Sequence, residues 1–140
     1  MEAQISQRKK RVVVFGIFDG IHEGHRSLFT QAKAHGEELM VIVGRDKAAF
    51  QLKNKKPRYS ERERLQLVLR EHMADGAVLG DEEQSSYRVL EELNPDHICL
   101  GYDQQMLGED LQMWMQRKAK KIPISFMEPY QPDVLHSSIL

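Results

Sequence analysis

A chain of 140 residues with 41% hydrophobic content suits one compact domain around one buried core. Twenty Lys and Arg stand against 21 Asp and Glu, and the resulting net charge of −1 argues against a dedicated nucleic-acid binder. No apolar run reaches membrane-spanning length, no signal-like hydrophobic region follows the basic opening MEAQISQRKK, and a single cysteine excludes an internal disulfide or an all-cysteine metal cage. The expectation is a cytoplasmic protein without membrane partner, one domain over residues 1–140 with residues 1–10 flexible.

Taken in chain order, RVVVFG (11–16) is a β-branched run closed by glycine and predicts a buried strand. From His22 to His35, apolar Leu28, Phe29 and Ala32 predict a helix, with Gly36 as its C-terminal cap. ELMVIVG (38–44) predicts a second strand. Ser60 and Glu63 form a capping box that opens a helix to His72, with Leu65, Leu67, Val68 and Leu69 on its apolar face. GAVLG (76–80) is a third strand, and residues 86–93 a short helix ended by Asn94-Pro95. DHICLG (96–101) is a fourth strand, in which Cys99 reads as a buried structural thiol. Gln105 to Lys120 carries Leu107, Leu111, Trp114 and Met115 at helical spacing, and PISFM (123–127) is a fifth strand.

Five strands alternating with helices predict an α/β fold, a Rossmann-like doubly wound five-stranded parallel sheet with helices on both faces. Right-handed crossovers favour the order 3-2-1-4-5, in which the chain reverses direction between strands 1 and 4. Ligands of such sheets bind outside the carboxyl ends of those two strands. The loops placed there are GIFDGIHEGH (16–25) and GYDQQ (101–105).

The first of these loops is rich in glycine and histidine. Glycine after a strand admits a phosphate close to the backbone, and the following helix offers unpaired N–H groups and a favourable dipole. His22 and His25, three apart, both point across the mouth of that helix and can donate hydrogen bonds to phosphoryl oxygens. HEGH is not a zincin motif, because that requires histidines four apart in a continuous helix; no metal site is expected. Glycines at 16, 20 and 24 do not spell GxGxxG, and the chain has no GxxxxGK[ST] loop. A purely structural loop is the competing interpretation.

HEGH after GIFD resembles the HxGH signature of the nucleotidylyltransferase superfamily, and the resemblance runs from Val12 to Ile139. It implies in-line attack of a substrate phosphate on the α-phosphate of a nucleoside triphosphate, with pyrophosphate leaving and no covalent enzyme intermediate. His22 and His25 would then stabilise charge on the phosphates, with Lys47 receiving the substrate phosphate and Arg64 facing the triphosphate. Arg45 rivals Lys47, and Arg62 rivals Arg64. The nucleotide would meet Ile17, Phe18, His22, Glu23, Gly24 and His25, with Asp103 on the ribose. Tyr130, Ser137 and Ser138 would close the site. Isoleucine at position 17 replaces the threonine of many members.

Within the superfamily, GEELMVIVGRD, LGYDQ and the ending in His136-Ser137-Ser138 resemble the archaeal-type FAD synthases most. That resemblance implies transfer of AMP from ATP to FMN, with a divalent cation such as Mg²⁺ accompanying the ATP and no tightly bound organic cofactor. Small members pair as homodimers. One alternative is cytidylyl transfer of the glycerol-3-phosphate cytidylyltransferase type, although PYQPDVLHSS lacks the Arg-Thr-x-Gly of that group. The other is a non-catalytic nucleotide-binding sensor.

Overall fold

A computed structural model of the chain describes residues 8–131. Five parallel strands, β1 (Arg11–Gly16), β2 (Glu38–Val43), β3 (Gly76–Leu79), β4 (His97–Leu100) and β5 (Ile124–Phe126), lie in the order β3-β2-β1-β4-β5. The predicted fold class and strand order are therefore both present. Five helices connect the strands: α1 (Glu23–Lys33), α2 (Asp46–Lys53), α3 (Glu61–Leu69), α4 (Arg88–Leu93) and α5 (Gln105–Lys118).

The two-residue period of the central strand sorts side chains into two layers. Val12 and Val14 of β1 pack with Phe29 and Ala32 of α1 and Val68 of α3. Val13, between them, turns to the opposite face and packs with Val89 and Leu90 of α4 and Leu111, Trp114 and Met115 of α5. All three valines are fully buried, as a parallel strand covered on both faces requires.

Three features differ from the sequence expectation. Helix α2 was not expected, because DKAAFQLK has weak periodicity and Arg45 at its N-cap makes no side-chain capping bond. Its first N–H is capped from a distance instead: Glu61 Oε1 accepts from the Asp46 N–H at 2.9 Å. Helix α1 ends at Lys33 with Ala34 still in right-handed geometry, so Gly36 is not its cap. Gly36 lies where the chain crosses the start of β1, and a Cβ there would come within 2.9 Å of the Lys10 carbonyl oxygen. Residues 8–10, expected to be flexible, are tied down: Arg8 Nη2 donates to Asp96 Oδ1 at 2.7 Å and the Lys10 N–H to Glu37 Oε1 at 2.8 Å. Among the described residues no helix is long and apolar enough to cross a membrane.

The Lys10 carbonyl accepts from both Glu37 and Glu38 N–H and so sets the register of β1 against β2. A methyl group pressed onto that oxygen must displace backbone. Gly36→Ala is expected to destabilise the protein by about 1–3 kcal/mol, read as a lower urea midpoint at unchanged slope. An unchanged midpoint would show that the turn yields freely.

Candidate active site

The loop after β1 is held from below by one buried side chain. Arg64, on α3 and fully buried, donates from Nη1 to the carbonyls of Ile17 at 2.8 Å and Gly44 at 2.7 Å. Its Nε donates to the Tyr59 carbonyl at 3.0 Å, and its Nη2 to Asp46 Oδ1 at 2.7 Å. The guanidinium therefore joins the ends of β1 and β2, the start of α2 and the turn into α3. It is engaged inside the protein rather than directed at open space. Arg62, its rival two residues earlier, is exposed.

Asp19 fastens the same loop from outside. Its carboxylate accepts from the backbone N–H groups of Arg58 and Tyr59 at 2.8 and 2.9 Å, not from its own loop as a turn-forming aspartate would. Desolvation pulls the Asp19 pKa upward, but these N–H bonds and the charges of Arg58 and Arg64 together outweigh it, and the carboxyl lies below its ordinary value. Phe18, at φ 57°, sinks its ring into the core against Phe29, leaving only its backbone on the loop surface. A left-handed conformation at a bulky residue stores strain, which the Arg64 and Asp19 fastenings offset.

At the mouth of α1 the two histidines cap each other. His22 Nδ1 accepts from the Gly24 N–H at 3.0 Å, and His25 Nδ1 accepts from the His22 N–H at 3.2 Å. The motif is a capping box built from imidazoles. Their rings stack, with centroids 3.8 Å apart and planes 24° apart. A nitrogen that accepts is unprotonated, so each neutral ring carries its proton on Nε2 and has one donor left to give. A Cβ at position 24 would lie 2.8 Å from His22 Cε1, so glycine is what lets this ring lie across the helix start.

The expectation of unpaired helix N–H groups is corrected here: Gly24 N–H is capped by His22, and the His25 and Arg26 N–H groups donate to the His22 carbonyl at 3.0 and 3.1 Å. A phosphate at this helix start would meet the Nε2–H donors and the helix dipole. Burial lowers the His25 pKa to about 4, with further lowering from His22, Arg26 and Lys53, while Glu71 opposes. His25 is thus a neutral donor at physiological pH.

The other predicted residues distribute as follows. Ile17 stays beside the loop with its carbonyl bound by Arg64, and a Gly44 Cβ would meet its Cδ1. Glu23 pairs with Arg26 at 2.8 Å. Tyr130 is brought to the helix mouth, its Cβ 4.0 Å from where a Gly24 Cβ would stand. Asp103 is exposed in the β4 loop, which Gln104 anchors to β1 by donating to the Phe15 carbonyl at 3.1 Å. Lys47 is exposed in the first turn of α2 without a hydrogen bond or ion pair among the described residues. Arg45, its rival, is committed to the Gly80 carbonyl at 2.7 Å and to Glu61 at 3.1 Å. Ser137 and Ser138 lie outside the described residues. Sequence reasoning missed Lys53 and Gln104. Lys53, at the end of α2, is close enough for its charge to act on His25, a proximity that only an unexpected helix creates.

Two outcomes follow from this geometry. Arg64→Met leaves Asp46 and three carbonyls without their partner and is expected to cost about 3–5 kcal/mol, measured by urea unfolding. Between pH 6.5, the ordinary histidine value, and about 4, the unfolded chain takes up a proton at His25 that the native chain refuses. Stability therefore falls as pH drops through that window and levels off below it. His25→Gln should flatten this slope; an identical slope would place the titration elsewhere.

Comparison with known proteins agrees with the geometry. The cytidylyltransferase-like family profile matches residues 13–140. The chain is 36% identical over 135 residues to an FAD synthase of Thermococcus sibiricus, covering 94% of this chain and 90% of that one. It is 41% identical over 102 residues to an FAD synthase of Methanosarcina barkeri, covering 73% and 71%. Among solved structures, a lipopolysaccharide core biosynthesis protein of Thermoplasma volcanium superposes with a TM-score of 0.81 at 33% identity, covering 89% of this chain and 100% of that one. The chain belongs to the cytidylyltransferase-like family, as a nucleotidyltransferase with FAD synthases among its relatives.

Proposed function

We propose that the chain transfers AMP from ATP to the phosphate of FMN, giving FAD and pyrophosphate. The observation that carries this reading is the stacked His22–His25 pair, each with an Nε2–H donor to spare, at the start of the helix after β1. It stands where a doubly wound sheet takes its ligand. The choice of FMN and ATP rests on the named activity of the FAD synthase relatives.

In the reaction an FMN phosphate oxygen bonds to the α-phosphorus of ATP while the bond from that phosphorus to the bridging oxygen breaks, and pyrophosphate leaves with the electron pair. No side chain forms a bond. His22 and His25 donate to phosphoryl oxygens as charge builds there, at a helix start whose dipole favours the same charge. Because Nδ1 of each ring is already occupied, the donors are held in place beforehand, and little reorganisation is needed. Lys47 and Lys53, at the two ends of α2, are the candidates to receive the FMN phosphate. Asp103 accepts from ribose hydroxyls, with Tyr130, Ser137 and Ser138 completing the nucleotide site.

A divalent cation such as Mg²⁺ would supply further charge neutralisation on the phosphates. The donor set fits an ion held mainly by those phosphates. Asp19 is taken by backbone N–H groups, Asp46 by Arg64 and Glu23 by Arg26, which leaves Asp103 as the carboxylate with no protein partner among these.

Pyrophosphate release is expected with ATP plus FMN, and not with CTP plus glycerol-3-phosphate. Release only with the second pair would reassign the protein to cytidylyl transfer, and triphosphate binding without release from any pair would make it a sensor. His25→Ala should lower kcat by about 100- to 1000-fold, the usual effect of losing one charge-stabilising donor. Lys47→Ala and Lys53→Ala compared side by side will raise KM for FMN in whichever variant loses the phosphate contact; no change in either would remove α2 from the site.

A further inference from the structure

At the opposite end of the sheet, the amino ends of the strands, three metal-ligating side chains come together that the proposed reaction does not use. His35 follows the last turn of α1, while His97 and Cys99 are alternate residues of β4 and so share one face of the sheet. One ligand atom from each lies within 4.8 Å of the others. The two imidazoles are 4.6 Å apart between centroids. Cys99 is fully buried and His97 half-buried, whereas His35 is exposed and opens the cluster to solvent. We propose that His35, His97 and Cys99 form a binding site for a divalent transition-metal ion of the Zn²⁺ type.

The chemistry of the donor set selects the ion. Two imidazole nitrogens and one thiolate sulfur suit a borderline-soft cation and disfavour Mg²⁺ or Ca²⁺, which take oxygen ligands. Zinc bonds of about 2.0–2.1 Å to nitrogen and 2.3 Å to sulfur ask the three atoms to draw in from their present spacing by roughly 1 Å. His35 is free to supply that movement, being exposed in a connecting turn. Solvent at the His35 side fills the fourth position. An outer partner is already present: Ser125 Oγ, on the neighbouring strand β5, lies 2.8 Å from His97 Nε2. Such a hydroxyl fixes the orientation of a ligating ring. Binding displaces the thiol proton of Cys99 to solvent and leaves the oxidation state of the ion unchanged. The bound ion would clip the far end of α1 to β4, far along the helix from the His22–His25 pair.

Cys99 is the sole cysteine of the chain, so the site reports on itself. Co²⁺ titrated into the full-length, untagged, reduced protein should produce a thiolate-to-cobalt charge-transfer absorption in the near ultraviolet that saturates at one equivalent, and Zn²⁺ should abolish it. Zn²⁺ should also raise Tm of the wild type, since it binds the native state alone. His35→Ala, a surface substitution that spares the core and keeps the thiol, should weaken Co²⁺ binding at least tenfold and remove the Zn²⁺-dependent rise in Tm. His22→Ala should leave the cobalt band intact. Absence of the band in the wild type overturns the proposal. So does an undiminished band in His35→Ala.

Discussion

The Arg64 guanidinium organises the carboxyl end of this sheet. Where the β1–β2 ladder runs out, the carbonyls of Ile17 and Gly44 would otherwise face a protein interior with no partner, and a buried unpaired carbonyl is costly. A single planar group with several N–H donors answers both, and reaches Tyr59 and Asp46 as well. An apolar side chain could answer none of these acceptors, so the buried guanidinium specifies one loop arrangement. Everything that faces the candidate ligand hangs on that arrangement: the strained Phe18, the histidine loop, and the start of α2 with Lys47.

Protonation at the helix mouth follows from the same crowding. Burial, the second imidazole, Arg26 and Lys53 all press the proton off His25, and the nearby Glu71 is largely spent on Arg26. The result is a neutral, oriented donor at His25, stacked on the His22 ring. An incoming triphosphate would reverse part of this balance, because an anion beside the ring favours its charged form.

Helix α1 gives the molecule two chemically distinct ends. Its start carries the histidine box at the carboxyl side of the sheet, and the residue just past its end, His35, meets β4 at the amino side. A right-handed crossover imposes this, because the helix must run antiparallel to the strands it connects. One element therefore touches the His22–His25 box and the His35–His97–Cys99 cluster without bringing them together.

Much of this was legible in the sequence. Alternating strand and helix patterns determined the fold class, and crossover handedness with the commonest strand order determined which two loops flank the ligand crevice. HEGH at a helix start named the histidines, and the Ser60–Glu63 box is formed as expected. Local signals carried these conclusions, since they depend on side-chain period and on capping within a few residues. What tertiary structure decided are the interactions between distant positions. Glu61 caps helix α2 from 15 residues away, and that helix carries Lys53 to where its charge acts on His25. Arg64 turned inward because two strand ends needed a donor, and Asp19 found its partners at Arg58 and Tyr59. The paired Nδ1 acceptors followed from ring packing over Gly24, and His35, His97 and Cys99 met only when α1 folded back along the sheet. A sequence states period and local capping directly; it leaves unwritten which far-off carbonyl or carboxylate will be buried without a partner until another side chain supplies one.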